Sequence, residues 1–165
     1  MSECVIEIAK KADAEEIFAL YRSLIDMPDG TWDEEYPSKE IVDDDLENQI
    51  ILVMRNEKKD IIAAIAISDE DEDFEDDRIG WYPDILRWIA LSRLGVSKDM
   101  QGRGIAKQML LAAMDHCRQH GYEAVRFLVS KDNPAPQRAY AKLNFDICGE
   151  IELYEHRWLC YQKRL

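Results

Sequence analysis

Leu94-Gly-Val-Ser-Lys-Asp-Met-Gln-Gly-Arg-Gly-Ile-Ala-Lys107 is the stretch on which the reading of this chain turns. It opens as the end of an apolar strand, Leu86 to Val96, and closes as the first turn of a helix predicted over Gly104 to Gln119. Between them stand Gln101, Gly102, Gly104 and Ala106, with Arg103, Ile105 and Lys107 alongside. Gly102 and Gly104 let the backbone turn tightly and approach a ligand closely. The first N–H groups of a helix have no partner inside it, and the helix dipole makes that end electropositive. A phosphate group is the natural ligand of such a turn.

Spacing narrows the choice of phosphate ligand. No Gly-Lys-Ser/Thr is present, so a Walker loop is excluded. A dinucleotide fingerprint starts well at Gly102-Arg103-Gly104 but meets Lys107 where Gly or Ala is required. A nucleotide-binding switch is disfavoured accordingly. The pattern that fits is Gln101-x-x-Gly104-x-Ala106.

Working outward, Val5 to Ala9 alternates as a first strand. Asp13-x-x-Glu16 imitates a capping box before a helix carrying Ile17, Leu20, Tyr21, Leu24 and Ile25. Pro28, Asp29 and Gly30 break it. A loop with Trp32 and Tyr36 follows, and Ser38 is a good N-cap for a second helix. Ile50 to Arg55 and Ile61 to Ser68 read as an antiparallel pair. The acidic run Asp69 to Asp77 has Phe74 where a calcium loop needs glycine and Gly80 where it needs glutamate. It reads as a solvated loop, and no metal site is expected. Beyond the central helix, Ala124 to Ser130 is a strand, and Asn133-Pro134 should cap a short helix over 134–143 that stops at Asn144. Ile147 to Tyr154 and Trp158 to Lys163 close the chain as a hairpin. The order is β-α-α-β-β-β-α-β-α-β-β: an α/β (α+β) chain of about four helices and a mixed sheet of about seven strands, with the phosphate turn at the C-terminal end of a parallel strand.

A length of 165 residues suits a single domain over 1–165. No apolar run reaches the roughly 18–20 residues of a membrane span, and the N-terminus lacks the basic and apolar regions of a signal peptide. The four cysteines are scattered without a C-x-x-C, as expected of reduced thiols in a cytoplasmic protein. The net charge of −13 repels nucleic acid and favours cations, amines among them. The basic spot at Arg103 and Lys107 runs against that background.

A second motif, Asn133-Pro-Ala-Pro-Gln-Arg-Ala-Tyr-Ala-Lys-Leu-Asn-Phe145, stands downstream. With the first it resembles the GNAT superfamily of acyl-CoA-dependent N-acetyltransferases, whose motifs read [Arg/Gln]-x-x-Gly-x-[Gly/Ala] and Asn-x-x-Ala-x-x-x-Tyr-x-Lys-x-Gly-Phe. Asn133, Tyr140, Lys142 and Phe145 match in register; Pro136 replaces the Ala and Asn144 the Gly. The two motifs cover Leu86 to Phe145, and the element order extends the likeness to the whole chain.

The resemblance implies a GNAT fold and the following roles. Leu94, Gly95 and Val96 would hold the pantetheine arm and thioester of acetyl-CoA through their backbone. Gln101, Gly102, Arg103, Gly104, Ile105, Ala106 and Lys107 would bind its pyrophosphate, and Asn133 would touch the pantetheine. Tyr140 would protonate the departing thiolate, a role that suits a phenol protonated at neutral pH. The acceptor would be a primary amine of a small molecule or protein. An alkylamine with a pKa of about 10 is only ~0.1% neutral at pH 7, a handicap of about 4 kcal/mol, so its proton needs a destination. The strand 86–96 carries no acid; Asp84 is the nearest, with Glu150 and Glu152 further on. Trp32 and Tyr36 either stack on the acceptor or anchor their loop, and Trp81 and Tyr82 pose the same choice. The alternative to an enzyme is a non-catalytic acyl-CoA sensor. A homodimer is compatible with either.

Overall fold

Strand period and helix period divide the apolar residues between two faces of one sheet. The computed structural model describes residues 4–28, 30–69 and 72–165, giving only the backbone of Glu72, Ala135 and Ala139. Asp29 of the first helix break, and Glu70 and Asp71 of the acidic run, lie outside the described residues. The elements are β1 (Val5–Ile8), α1 (Ala14–Arg22), α2 (Lys39–Asn48), β2 (Ile50–Arg55), β3 (Ile61–Ser68), β4 (Trp88–Val96), α3 (Ile105–Gln119), β5 (Ala124–Ser130), α4 (Pro134–Ala141), β6 (Asp146–Leu153) and β7 (His156–Arg164). Strand and helix order are those predicted. The seven strands run β1-β2-β3-β4-β5-β7-β6, antiparallel except where β4 meets β5.

β3 lies centrally and is buried along all eight residues. Its Ile65 and Ile67 join Leu52 and Met54 of β2 beneath Met109, Leu110, Ala113 and Met114 of α3. Its Ala64 and Ala66 join Ile51 and Val53 beneath Ile17, Leu20, Tyr21 and Val42 of α1 and α2. The small residues on that second face let two helices sit close. Each fully buried Leu, Ile or Met contributes about 1.5–3 kcal/mol.

The helix ends follow the sequence in part. Ser38 caps α2 by accepting the Ile41 N–H at 3.2 Å, and Asn144 takes the left-handed stop with φ of 59°. The capping box at Asp13 and Glu16 does not form. Asp13 accepts the Lys10 N–H at 2.8 Å and pairs with Arg55 at 2.7 Å, while Glu16 accepts the Ile61 N–H at 2.7 Å. Both carboxylates tie α1 to the sheet instead, because strand partners lay within reach. Asn133 occupies the N-cap position of α4 without a side-chain cap bond. Gln137 does the tying there: its amide reaches the carbonyls of Ser130, Lys131 and Asn133 at 3.1, 2.8 and 3.2 Å.

The expected solvated loop is the largest correction. The segment between β3 and β4 crosses the half of the sheet that α1 and α2 leave bare. Phe74, Ile79 and Ile85 are buried. Phe74 stacks on Trp81 at 5.9 Å, and the Trp81 indole N–H donates to the Phe74 carbonyl at 2.9 Å. The Gly80 N–H donates to Cys148 on β6 at 2.8 Å. Arg126 on β5 is sandwiched between Trp81 and Trp88, 4.8 and 4.7 Å from the ring centres. The Arg126 Nε also donates to Gln162 at 2.6 Å. Asp69, Glu75 and Asp77 are exposed while the aromatics clamp the sheet, so Trp81 is an anchor. Tyr82 is one too: its hydroxyl donates to Asp146 and Arg164 lies over its ring. Among the described residues no helix is long and apolar enough to cross a membrane.

If this segment is core, Phe74→Ala should destabilise the protein by roughly 3 kcal/mol and lower Tm by about 5–10 °C. Thermal unfolding followed by circular dichroism checks it; a solvated loop would give no shift.

Candidate active site

The site begins where two parallel strands part. β4 and β5 pair only from Trp88–Ala124 to Ala90–Arg126. Beyond that point β5 stays with β7, all seven of its residues paired, and β4 stays with β3. From Leu91 to Val96 the β5-facing edge of β4 therefore has no strand beside it. Apart from the Val96 carbonyl, which accepts the Gln101 side-chain amide at 2.9 Å, those backbone groups have no strand partner and can meet a ligand that enters the wedge. Leu94, Gly95 and Val96 lie on this stretch.

β4 is also bulged. The register passes from Ala66–Ser92 to Ala64–Gly95, so Arg93 and Leu94 together face Ile65. A bulge sharpens twist and bends its strand, which helps carry β4 away from β5. Gly95 has a steric reason to be glycine: an added Cβ would stand 3.0 Å from Leu24 and 3.3 Å from Trp32. Trp32 packs edge-on against Tyr21, with ring centres 5.1 Å apart. Of its two readings the structure favours the anchor: Trp32 closes the back of β4.

The phosphate turn follows directly. A short 3-10 turn at Lys98–Met100 leads to Gly102 and Gly104, with φ of 77° and 78°. Nothing lies within 4 Å of where a Cβ would project from either. Glycine is needed here for its backbone conformation and leaves open space over the helix end. Gly104 is the N-cap of α3 and provides no side-chain cap, and the first turn has no acid. The Gln108 N–H makes the first helical bond, to Gly104 at 3.1 Å, so the N–H groups of Ile105, Ala106 and Lys107 precede the helical ladder. Arg103 is exposed beside them and Lys107 sits in the same turn. This arrangement fits a pyrophosphate. The Gln101 side chain is not part of it; its amide donates to the Val96 carbonyl at 2.9 Å and clasps the turn to the strand. What Gln101 offers the turn is its backbone.

Across the wedge, Phe127 is the first β5 residue beyond the ladder with β4. Tyr140 of α4 meets it edge-on at 4.9 Å and also contacts Tyr161 and Phe145. Burial pushes the Tyr140 phenol well above its ordinary pKa, with Tyr161 adding to the shift. It stays protonated through the physiological range. Asn133 precedes the same helix. The two strands also carry buried hydroxyls, Ser92 on β4 and Ser130 on β5, with no partner among the described residues.

On the α2 side of the bulge is a cleft of about 390 Å³, bordered by Tyr36, Glu40, Asp44, Asp45, Asp73 and Arg93. Arg93 grips Asp45 with Nε and Nη2 at 2.9 and 2.8 Å, and its other Nη donates to the Tyr36 hydroxyl at 3.2 Å. Burial pushes the Asp45 carboxyl up, and the facing guanidinium pulls it back only in part. Asp73 accepts the Tyr154 hydroxyl at 3.0 Å, tying the β6–β7 turn to the far wall. The Arg93–Asp45 pair was not legible in the sequence; an Arg inside an apolar strand is the one signal that could have raised it. A second hollow of about 430 Å³ lies under the β6–β7 turn and includes no residue of the bulge or the phosphate turn.

Asp84 does not join this constellation. It precedes β4 and is held by both Nη atoms of Arg164, at 2.8 and 2.9 Å. Arg164 pairs in register with Ala124, at the end of the sheet where β4 begins. From Trp88 to Gly95 the strand alone spans about 23 Å, at about 3.3 Å per residue. The Arg164 hydrogen bond holds its carboxyl below the usual range, weakening it further as a base. Glu150 and Glu152 are engaged by Lys131 and Arg157. Proximity in sequence misled here because a strand carries its two ends far apart.

Comparison with known proteins agrees with this geometry. Residues 7–145 match the Acetyltransferase (GNAT) family. The uncharacterized N-acetyltransferase YhbS of Escherichia coli K12 is 27% identical over 107 residues, covering 65% of this chain and 54% of that protein. The chain thus spans about half the length of the curated relatives it matches. A GNAT-family acetyltransferase structure from Streptococcus agalactiae superimposes with a TM-score of 0.79 at 23% identity, covering 98% of this chain and 95% of that one. The structure of yncA from Salmonella typhimurium, which holds its cofactor acetyl-CoA, superimposes with a TM-score of 0.74 at 17% identity, covering 99% and 94%. A family match across most of the chain, a parted β4–β5 pair and an uncapped, glycine-led helix end lead to one conclusion: the chain belongs to the GNAT acetyltransferase family.

Proposed function

We propose that the protein transfers an acetyl group from acetyl-CoA to a primary amine by direct attack. The observation that carries this reading is the wedge: an unpaired strand edge runs straight into a bare helix N-terminus, with a protonated phenol across the gap. Acetyl-CoA supplies an activated thioester. The N–H groups of Gly102 to Lys107 would neutralise its pyrophosphate, with Arg103 and Lys107 adding charge. The open edge of Leu94, Gly95 and Val96 would receive the pantetheine arm and polarise the thioester carbonyl, and Asn133 would contact the arm from the other side. As the C–N bond forms and the C–S bond breaks, the amine gives up a proton to solvent. Tyr140 donates one to the thiolate and regains it from water.

The amine would enter from the cleft beside the bulge, with Tyr36 on its wall. Its charged residues are all acidic apart from Arg93, and the chain as a whole is acidic. Such a field favours cationic amines over amino acids that carry their own carboxylate. A non-catalytic sensor would need the wedge but would have no use for the phenol.

The deciding experiment incubates the protein with acetyl-CoA and a pooled panel of polyamines, aminoglycosides, amino acids and short peptides, and reads acetylated products by mass spectrometry. Cationic amines should dominate the products. Acetyl-CoA binding with no product from any class would favour the sensor.

Tyr140→Phe should lower kcat by about 10²–10³-fold while acetyl-CoA affinity stays within about twofold. Because Tyr140 stays protonated well above pH 9, wild-type kcat should show no alkaline fall below that pH. An unchanged rate in the variant removes its role as acid. For Gly104→Trp, calorimetry should find CoA binding abolished, since the indole fills the space over the helix end. Undiminished binding would contradict the phosphate site.

A further inference from the structure

Arg93 occupies a backbone position that glycine would hold more easily. Its φ is +50°, in the left-handed region, and it is one of the two residues that share the single partner Ile65 in the bulge. If the bend alone mattered, glycine would supply it without strain. The side chain is therefore the feature that sets this position apart. Its guanidinium makes three bonds to two other elements: two to Asp45 on α2 and one to Tyr36 in the segment before α2. The Arg93 and Asp45 side chains are 13% and 4% exposed. A buried ion pair adds little stability over an apolar pair of the same shape, and its use is to fix geometry. The bidentate fork fixes both distance and plane. Tyr21, fully buried with its hydroxyl unpartnered among the described residues, lies within electrostatic reach of all three groups.

We propose that Arg93 is a positioning residue for acetyl transfer: through Asp45 and Tyr36 it locks the acceptor wall to the bulge of β4, so that the wall and the backbone receiving the thioester move as one body. This inference rests on the acetyl-transfer reading above. It has a consequence at a distance. α2 does not border the wedge, yet filling the wedge with acetyl-CoA must stiffen α2 if the lock is the link between them.

Hydrogen–deuterium exchange on the whole chain, with and without acetyl-CoA, tests this in the wild type and in the double variant Arg93→Gly, Asp45→Asn, which relieves the backbone strain and removes both buried charges. In the wild type, acetyl-CoA should slow exchange at residues 101–110 and, at least fivefold, across α2. In the variant, protection at 101–110 should persist and that of α2 should fall below twofold. With the amine that the panel finds best, the variant's KM for amine should rise about tenfold and that for acetyl-CoA stay within twofold. Should the double variant not fold, Arg93→Lys keeps a cation beside Asp45, loses the fork and is read by the same criteria. Equal α2 protection in wild type and variant, or none in the wild type, overturns the lock while leaving acetyl transfer standing. No protection at 101–110 in either protein overturns both.

Discussion

The structure depends on a limit to strand pairing. A parallel ladder between β4 and β5 runs for three residue pairs and stops, because each strand has a stronger claim elsewhere. β5 is committed to β7 along its whole length, and β4 follows β3 through a bulge that bends it away. Backbone N–H and C=O groups that would cost free energy if buried unpaired are left facing a gap. On the reading proposed above, the gap receives a ligand with its own amides and carbonyl.

The remaining parts can be read as supports for that gap. α3 begins where β4 ends, so its uncapped N-terminus stands at the mouth of the wedge. Gln101 clasps the turn to Val96, fixing the strand end relative to the helix. Gln137 gathers three carbonyls at the start of α4 and so holds Tyr140 against Phe127. Trp32 and Leu24 close the back of β4 at the one residue without a side chain. On the opposite half of the sheet, which α1 and α2 leave bare, Phe74, Ile79 and Trp81 supply the missing cover. A half-open sheet face of Leu128, Ile151 and Cys160 would otherwise meet water.

Charge is arranged with the same logic. An acidic surface leaves the phosphate turn as a local positive spot and the cleft beside the bulge as a negative one. The two substrates of an acetyl transfer are opposite in charge, an anionic nucleotide thioester and an amine. Under the proposed function, each would meet its own side of β4. The buried Arg93–Asp45 pair borders the cleft and joins α2 to β4.

Elements whose signal is local were legible in the sequence. Strand order, helix order, the glycine-led turn and the register of Asn133 and Tyr140 follow from periodicity, stop residues and motif spacing, all properties of residues within a few positions of each other. Ser38 could be read as a cap because its partner is three residues away. Long-range pairing was not legible. Asp13 and Glu16 looked like a capping box until Arg55 and Ile61, distant in sequence, offered better partners. Asp84 looked close to the reacting centre because it is close in sequence, whereas the extended strand carries it to the far end of the sheet. Asp69 to Asp77 looked solvated because its acids outnumber its one aromatic, yet a bare sheet face drew that aromatic inside. The sequence by itself determined the fold and the glycine-led turn before α3. Only the tertiary structure decided where β4 and β5 part and which charges meet across the bulge, because those depend on competition among partners that no local window contains.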